Sequence, residues 1–222
     1  MFVIYINSLP DVLESYCASL YADDTVIYCY GSSSKQLSDN LNQDLLAVAK
    51  WMDDHKLTLN LEKTKCMLLG SNRKLESKIK LSVSISNYNV SNVSNFKYLG
   101  VFISSDLTWS EHVEYLSGKI NQRLGLQRRI KHLLPFRARL LYYNSLVLPL
   151  FEYADLVWGD KHNVTIMSNL QILQNNAAKI ILDRPLYSSA TDALAKLKWL
   201  PLEKRRFLRR CVYVFKCLNG LV

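Results

Sequence analysis

Apolar residues recur at helical spacing from residue 34. In "SKQLSDNLNQDLLAVAKWMDDHKL" Leu37, Leu41, Leu45, Val48 and Met52 fall on one stripe, behind serines placed to cap a helix N-terminus. The spacing predicts an amphipathic helix. The period then shortens: "LTLNLEKTKCMLL", "KLSVSISN" (Leu81, Val83 and Ile85 alternating with serines) and "NFKYLGVFIS" read as short strands of an antiparallel sheet. After "SDLTWSEH" the pattern is helical, with helices expected near 111–133, 136–158, 163–182 and 202–218. In the third, Ile166, Leu170, Leu173, Ala177 and Ile180 share one face. Pro135, Pro149, Pro185 and Pro201 mark helix starts or bends. A boundary near Asp106 separates an α+β part, residues 1–105, from an all-helical part, residues 106–222. The opening "MFVIYI" has no basic leader and meets "NSLPDVLE" within a turn, so it reads as core rather than signal peptide or membrane span.

One strand-like stretch carries chemistry. "SLYADDTVIYCYG", residues 19–31, alternates like a strand, has no glycine before Gly31, and sets Asp23 beside Asp24. Adjacent strand residues point to opposite faces, so both carboxylates serve one site only if the chain turns there. The expected element is a hairpin with the aspartates at its bend. Carboxylates held together in a core repel unless a cation lies between them, and magnesium, which takes one or two carboxylates plus phosphate oxygens, suits that place. A plain surface turn is the competing reading, because aspartate favours turns.

Composition narrows the class. At 222 residues and 49% hydrophobic the chain has material for one sizeable core or two small ones. Five cysteines (Cys17, Cys29, Cys66, Cys211, Cys217) without a C-x-x-C pair, and histidines without finger-type spacing, support neither a disulfide framework nor a zinc site. The sequons at Asn89, Asn92 and Asn163 are read as chance, and the chain as intracellular, cytoplasmic or nuclear. The net charge of +9 is uneven: residues 1–60 hold eight acids against three bases, residues 119–222 eighteen bases against six acids. Two basic runs stand out, "KINQRLGLQRRIKHLLPFRARL" with Arg123, Arg128, Arg129 and Lys131, and "KLKWLPLEKRRFLRRCVYVFK" with Arg205 and Arg206. Such runs suit nucleic-acid phosphates, and equally a solvated helix face.

The residues around the aspartates carry a resemblance. "SLYADDTVIY" resembles the Y-A-D-D or F-A-D-D hairpin of reverse transcriptases, specifically those of jockey-like, non-LTR retrotransposons. In order after it, "WMDDHKLTLNLEKTKCMLL" resembles the motif of a helix followed by L-N-x-x-K-T, here Leu59, Asn60, Lys63 and Thr64. "FKYLGVFISSDLTWSEHV" resembles the primer grip, with Tyr98, Leu99, Gly100, Asp106, Trp109 and His112. "FVIYINSLP", "YNSLVLPLFEYADLVWG", "LQILQNNAAKII" and "LKWLPLEKRRFLRR" are similar to the segments flanking these motifs, so the resemblance covers nearly the whole chain.

The resemblance implies an RNA-directed DNA polymerase: a partial palm, then a helical thumb, acting on an RNA template, a DNA primer and incoming deoxynucleotides, with no membrane partner. Asp23 would be the main magnesium ligand and Asp24 would adjust the site. Tyr21 and Ala22 would lie beside the primer end and nucleotide, and Tyr98, Leu99 and Gly100 would hold the primer. Lys63 would approach the triphosphate, with Lys65 a competing candidate. Trp109 and Trp158 are read as helix-packing aromatics. The family's upstream third aspartate has no match here, and Asp11 and Glu14 fit no catalytic motif, so the fragment is expected to be inactive alone. The alternative is a non-catalytic module that binds RNA or an RNA/DNA hybrid on its basic helices.

Overall fold

A computed structural model describes residues 2–14, 17–75, 80–159 and 164–221; the sequon at Asn163 lies outside them. The chain divides into two compact units, residues 1–98 with 103–107, and residues 99–102 with 108–222.

The first unit is built around one helix. Helix α1 (Phe2–Ile6) and a 3-10 turn over Leu9–Val12 lead into the hairpin of β1 (Cys17–Tyr21) and β2 (Asp24–Tyr28), and then into α2 (Ser34–Asp54). The predicted stripe is the buried face of α2: Leu37, Leu41 and Val48 are buried, while Leu45 and Met52 are half-buried. Ser33 caps it, its hydroxyl accepting from the Gln36 amide at 3.3 Å. The helix ends where Lys56 turns left-handed (φ 55) and the Leu57 amide reaches back to Met52 O at 2.9 Å.

Two apolar clusters pack on α2. Leu37 and Leu41 meet Leu81, Val83, Ile85 and Val90, while Val48 and Trp51 meet Ile6 and Leu9. The opening run is therefore only partly core, since Ile4 is 82% exposed.

The remaining strands are short: β3 (Lys65–Cys66), then one helical turn, α3 (Asn72–Leu75), β4 (Ser84–Ile85), β5 (Tyr88–Asn89), β6 (Ser91–Asn92), β7 (Asn95–Tyr98) and β8 (Val101–Ser104). The expected antiparallel sheet is corrected, among the described residues, to four two-stranded pieces, of which β3–β6 is parallel. Side chains replace part of the ladder. The Asn42 amide donates to Ser82 O at 2.9 Å and its oxygen accepts from the Ser84 amide at 2.8 Å, while Asn92 does the same for both backbone groups of Leu81. Burial still alternates as predicted at Leu81, Val83 and Ile85.

The second unit is helical. Helix α4 (Ser110–Ile130) buries Val113, Leu116, Ile120 and Leu124 and packs against α8 (Val164–Ile181), which buries Leu170, Leu173, Ala177 and Ile180. The single helix expected over 136–158 is broken into α5 (Phe136–Tyr142), a π-turn over Tyr143–Val147, α6 (Leu148–Glu152) and α7 (Asp155–Trp158). Pro149 explains the first break, because its ring clashes with the carbonyl four residues earlier and the wider turn relieves this. The second break is the left-handed Ala154 (φ 51). After α8 come α9 (Ala190–Leu197), which the pattern reading missed, and α10 (Leu202–Leu218). Five free thiols remain, and burial pushes that of Cys66 above its ordinary pKa. No helix among the described residues is long and apolar enough to cross a membrane.

Candidate functional site

The β1–β2 hairpin turns through two residues, Ala22 and Asp23, with Tyr21 opposite Asp24 as the closing pair. Ala22 is left-handed (φ 53), the geometry that lets a two-residue turn follow the twist of its strands. Behind the tip, Leu20 and Ile27 pack on the cluster of Ile6, Leu9, Val48 and Trp51, which anchors the hairpin while its end faces solvent. Tyr21 is 64% exposed, and Ala22, Asp23 and Asp24 are exposed with it.

The expected buried repulsion is therefore corrected: water solvates both carboxylates, and the fold does not require a cation between them. The pair remains open to one. Exposed carboxylates on adjacent residues are hard oxygen donors of the kind magnesium takes, one or two at a time. Among the described residues no group of three His, Cys, Asp or Glu could hold a metal, so a second ion would need ligands beyond this pair.

Lys63 lies on a turn made by its own motif. The Asn60 side chain accepts from the Lys63 amide at 3.1 Å, and the Thr64 hydroxyl donates to Asn60 O at 2.9 Å. The turn leaves Lys63 exposed. Its competitor Lys65 is engaged, donating to the Ser91 hydroxyl at 2.8 Å. Tyr98 is half-buried at the end of β7.

Leu99 and Gly100 form the two-residue turn between β7 and β8, both left-handed (φ 45 and 82). Tyr153 holds this turn: its hydroxyl donates to Leu99 O at 2.7 Å, and a Cβ added to Gly100 would lie 3.4 Å from its ring. His112 is buried and its Nδ1 accepts from the Phe102 amide at 3.2 Å. Nothing in the local sequence pointed to Tyr153.

The six basic residues named from sequence separate by environment. Arg128 and Arg129 are exposed in the last turn of α4, where cations also complement the helix dipole. Arg123 donates to Leu146 O. Lys131 pairs with Asp183 at 2.6 Å, and its bond and charge hold that carboxyl below its ordinary pKa. That pair supports the fold at neutral pH and fades as pH falls through the lowered value.

Arg205 and Arg206 belong to the anchor of α10. Arg205 pairs with Glu152, Arg209 grips both oxygens of the buried Asp155 at 3.0 Å, and Arg210 donates to Gly159 O. Arg206 is 4% exposed, its guanidinium 4.8 Å from the Trp158 ring, and burial pulls its pKa down to about 10. In the structure Arg206 faces the Trp158 indole and Arg205 is held by a carboxylate. Trp158 is fully buried, edge-on to His112, as expected of a packing aromatic, and Trp109 is half-buried.

Comparison with known proteins agrees with the motifs. Residues 1–103 match the family described as "Reverse transcriptase (RNA-dependent DNA polymerase)". The chain is 27% identical over 179 residues to "Probable RNA-directed DNA polymerase from transposon BS" of Drosophila melanogaster, covering 77% of this chain and 19% of that protein. It is 30% identical over 118 residues to "Retrovirus-related Pol polyprotein from type-1 retrotransposable element R1 2" of Nasonia vitripennis, covering 52% and 28%. To "RNA-directed DNA polymerase from mobile element jockey" of Drosophila melanogaster it is 22% identical over 188 residues, covering 83% and 20%. The chain thus spans between about a fifth and somewhat over a quarter of these relatives' lengths. No solved structure matches.

Proposed function

We propose, for a chain whose residues 1–103 fall in the reverse transcriptase family, that it supplies part of a non-LTR retrotransposon's RNA-directed DNA polymerase. Residues 1–105 would form part of the palm, and 106–222 the thumb with its C-terminal extension. The observation that carries this reading is the exposed Asp23–Asp24 pair at the tip of a core-anchored hairpin, in the family-matched segment.

Each residue has a part in nucleotidyl transfer. Asp23 and Asp24 would hold magnesium, which when bound neutralises charge on the phosphates and attacking oxygen. Lys63, presented by the Asn60 turn, would place its ammonium beside the triphosphate, where it offsets charge on the leaving group or donates a proton to it. Tyr21 and Ala22 would flank the primer end, and Tyr98, Leu99 and Gly100 would meet the primer backbone, Gly100 giving the close approach. The primer, paired with an RNA template, would extend as an RNA/DNA hybrid with deoxynucleotides as substrate. With only two carboxylates at the hairpin tip, this chain is proposed not to polymerise unaided.

A second reading has its own support. Arg128 and Arg129 are exposed cations on one helix turn, which suits hybrid binding without chemistry. Both readings require nucleic-acid affinity, tested by titrating a fluorescent RNA/DNA hybrid at several salt concentrations. Log affinity is expected to fall linearly with log salt. Replacing Arg128 and Arg129 by alanine is expected to reduce the slope by about 1 per lost phosphate contact, near 2 in all, across sequences alike. A salt-independent affinity, or none, overturns both readings.

A further inference from the structure

Leu99 occupies an uncommon conformation. A left-handed, non-glycine residue is strained, and such residues persist where surrounding structure over-determines them. Here the over-determining group is Tyr153. Its hydroxyl fixes the Leu99 carbonyl, its ring lies against the side of Gly100 that has no Cβ, and it remains 55% exposed beside the turn.

Tyr153 is itself held. Its amide closes the end of α6 on Pro149 O at 2.9 Å, and its carbonyl accepts from the Trp158 indole at 2.8 Å. The residues on either side of the following bend, Glu152 and Asp155, are gripped by Arg205 and Arg209 of α10. The left-handed Ala154 lies between these fixed points.

We infer that Tyr153 is a positioning residue for the Leu99–Gly100 turn, setting the backbone that meets the primer's sugar–phosphate chain. This rests on the reading of that turn as a primer contact. The residue acts through the turn and touches no reacting atom, and its reach onto Leu99 O depends on the bend that α10 clamps.

The test uses the full chain, Tyr153→Phe and Tyr153→Leu, with an RNA/DNA hybrid whose primer ends in a photo-crosslinkable thymidine analogue. Amide hydrogen exchange is read at residues 99–101, cross-link yield at the peptide containing them, and hybrid affinity separately. Tyr153→Phe is expected to speed exchange there about three- to tenfold, the worth of one hydrogen bond, and to lower cross-link yield in proportion while overall affinity changes less than about twofold. Tyr153→Leu, which also removes the ring from Gly100, is expected to do more. Wild-type cross-linking with unchanged exchange and yield in both variants overturns the role of Tyr153 and leaves the primer-contact reading standing. Absence of wild-type cross-linking at this peptide, with the hybrid bound, overturns the primer-contact reading and the inference with it.

Discussion

Replacing Trp158 by alanine is expected to destabilise the helical unit by about 3–5 kcal/mol, the range for deleting a large buried aromatic. Three losses coincide there. The indole is 0% exposed, so its removal leaves a cavity lined by His112. Its N–H satisfies Tyr153 O, and its face receives the Arg206 guanidinium. That guanidinium would then be buried with no aromatic partner, although Nε and Nη2 already lack hydrogen-bond partners. Thermal unfolding followed by circular dichroism is expected to show the helical transition about 10 °C lower or more. Trp158→Phe, which keeps a ring, should fall well short of that. A loss under about 1 kcal/mol for the alanine variant would show that Trp158 is not a main support of the helical unit.

The second large effect concerns the hairpin. Replacing both Asp23 and Asp24 by alanine is expected to weaken divalent binding about ten- to hundredfold, from one or two lost charge-assisted contacts. The sign of the accompanying change distinguishes a metal site from a general surface effect. Without metal, the variant should bind an RNA/DNA hybrid as well as the parent or better, since two negative charges no longer repel phosphates. With magnesium the order should reverse. Because both side chains are exposed at a turn, the substitution should leave the fold intact. Affinities measured with and without magnesium give the four values needed, and parallel behaviour of the two proteins would leave the aspartates a surface turn.

Parts of this molecule were legible because one physical rule governed them alone. The α2 stripe, its serine cap and the alternating burial at Leu81, Val83 and Ile85 obey period and capping. Helix α9 also carried a signal, Ser189 accepting from the Asp192 amide at 3.2 Å, but eight residues among turn formers gave too short a periodic run. The break before Pro149 was readable as a bend, not as a π-turn, because the ring dictates that something yields without dictating how.

Charge was the least reliable guide. A run of arginines shows that cations are near one another, but only packing shows that Arg206 lies over an indole and Arg209 on a buried carboxylate. Tyr153 was invisible for a similar reason: its partner Leu99 is 54 residues away, and one phenol among thirteen tyrosines announces nothing. The hairpin aspartates were found by their neighbours, yet the repulsion expected of them presumed a burial they do not have.

Asp23 and Asp24 are thus proposed as the metal-bearing end of a polymerase site that this chain does not complete by itself. Primer extension is the sharpest test: RNA template, labelled DNA primer, deoxynucleotides and magnesium, with folded protein and the Asp23→Ala, Asp24→Ala variant side by side. Both proteins are expected to leave the primer unextended, while the parent binds the hybrid with a magnesium-dependent gain. Extension by the parent chain that disappears in the variant would contradict the proposal, because another group of this chain would then be completing the site.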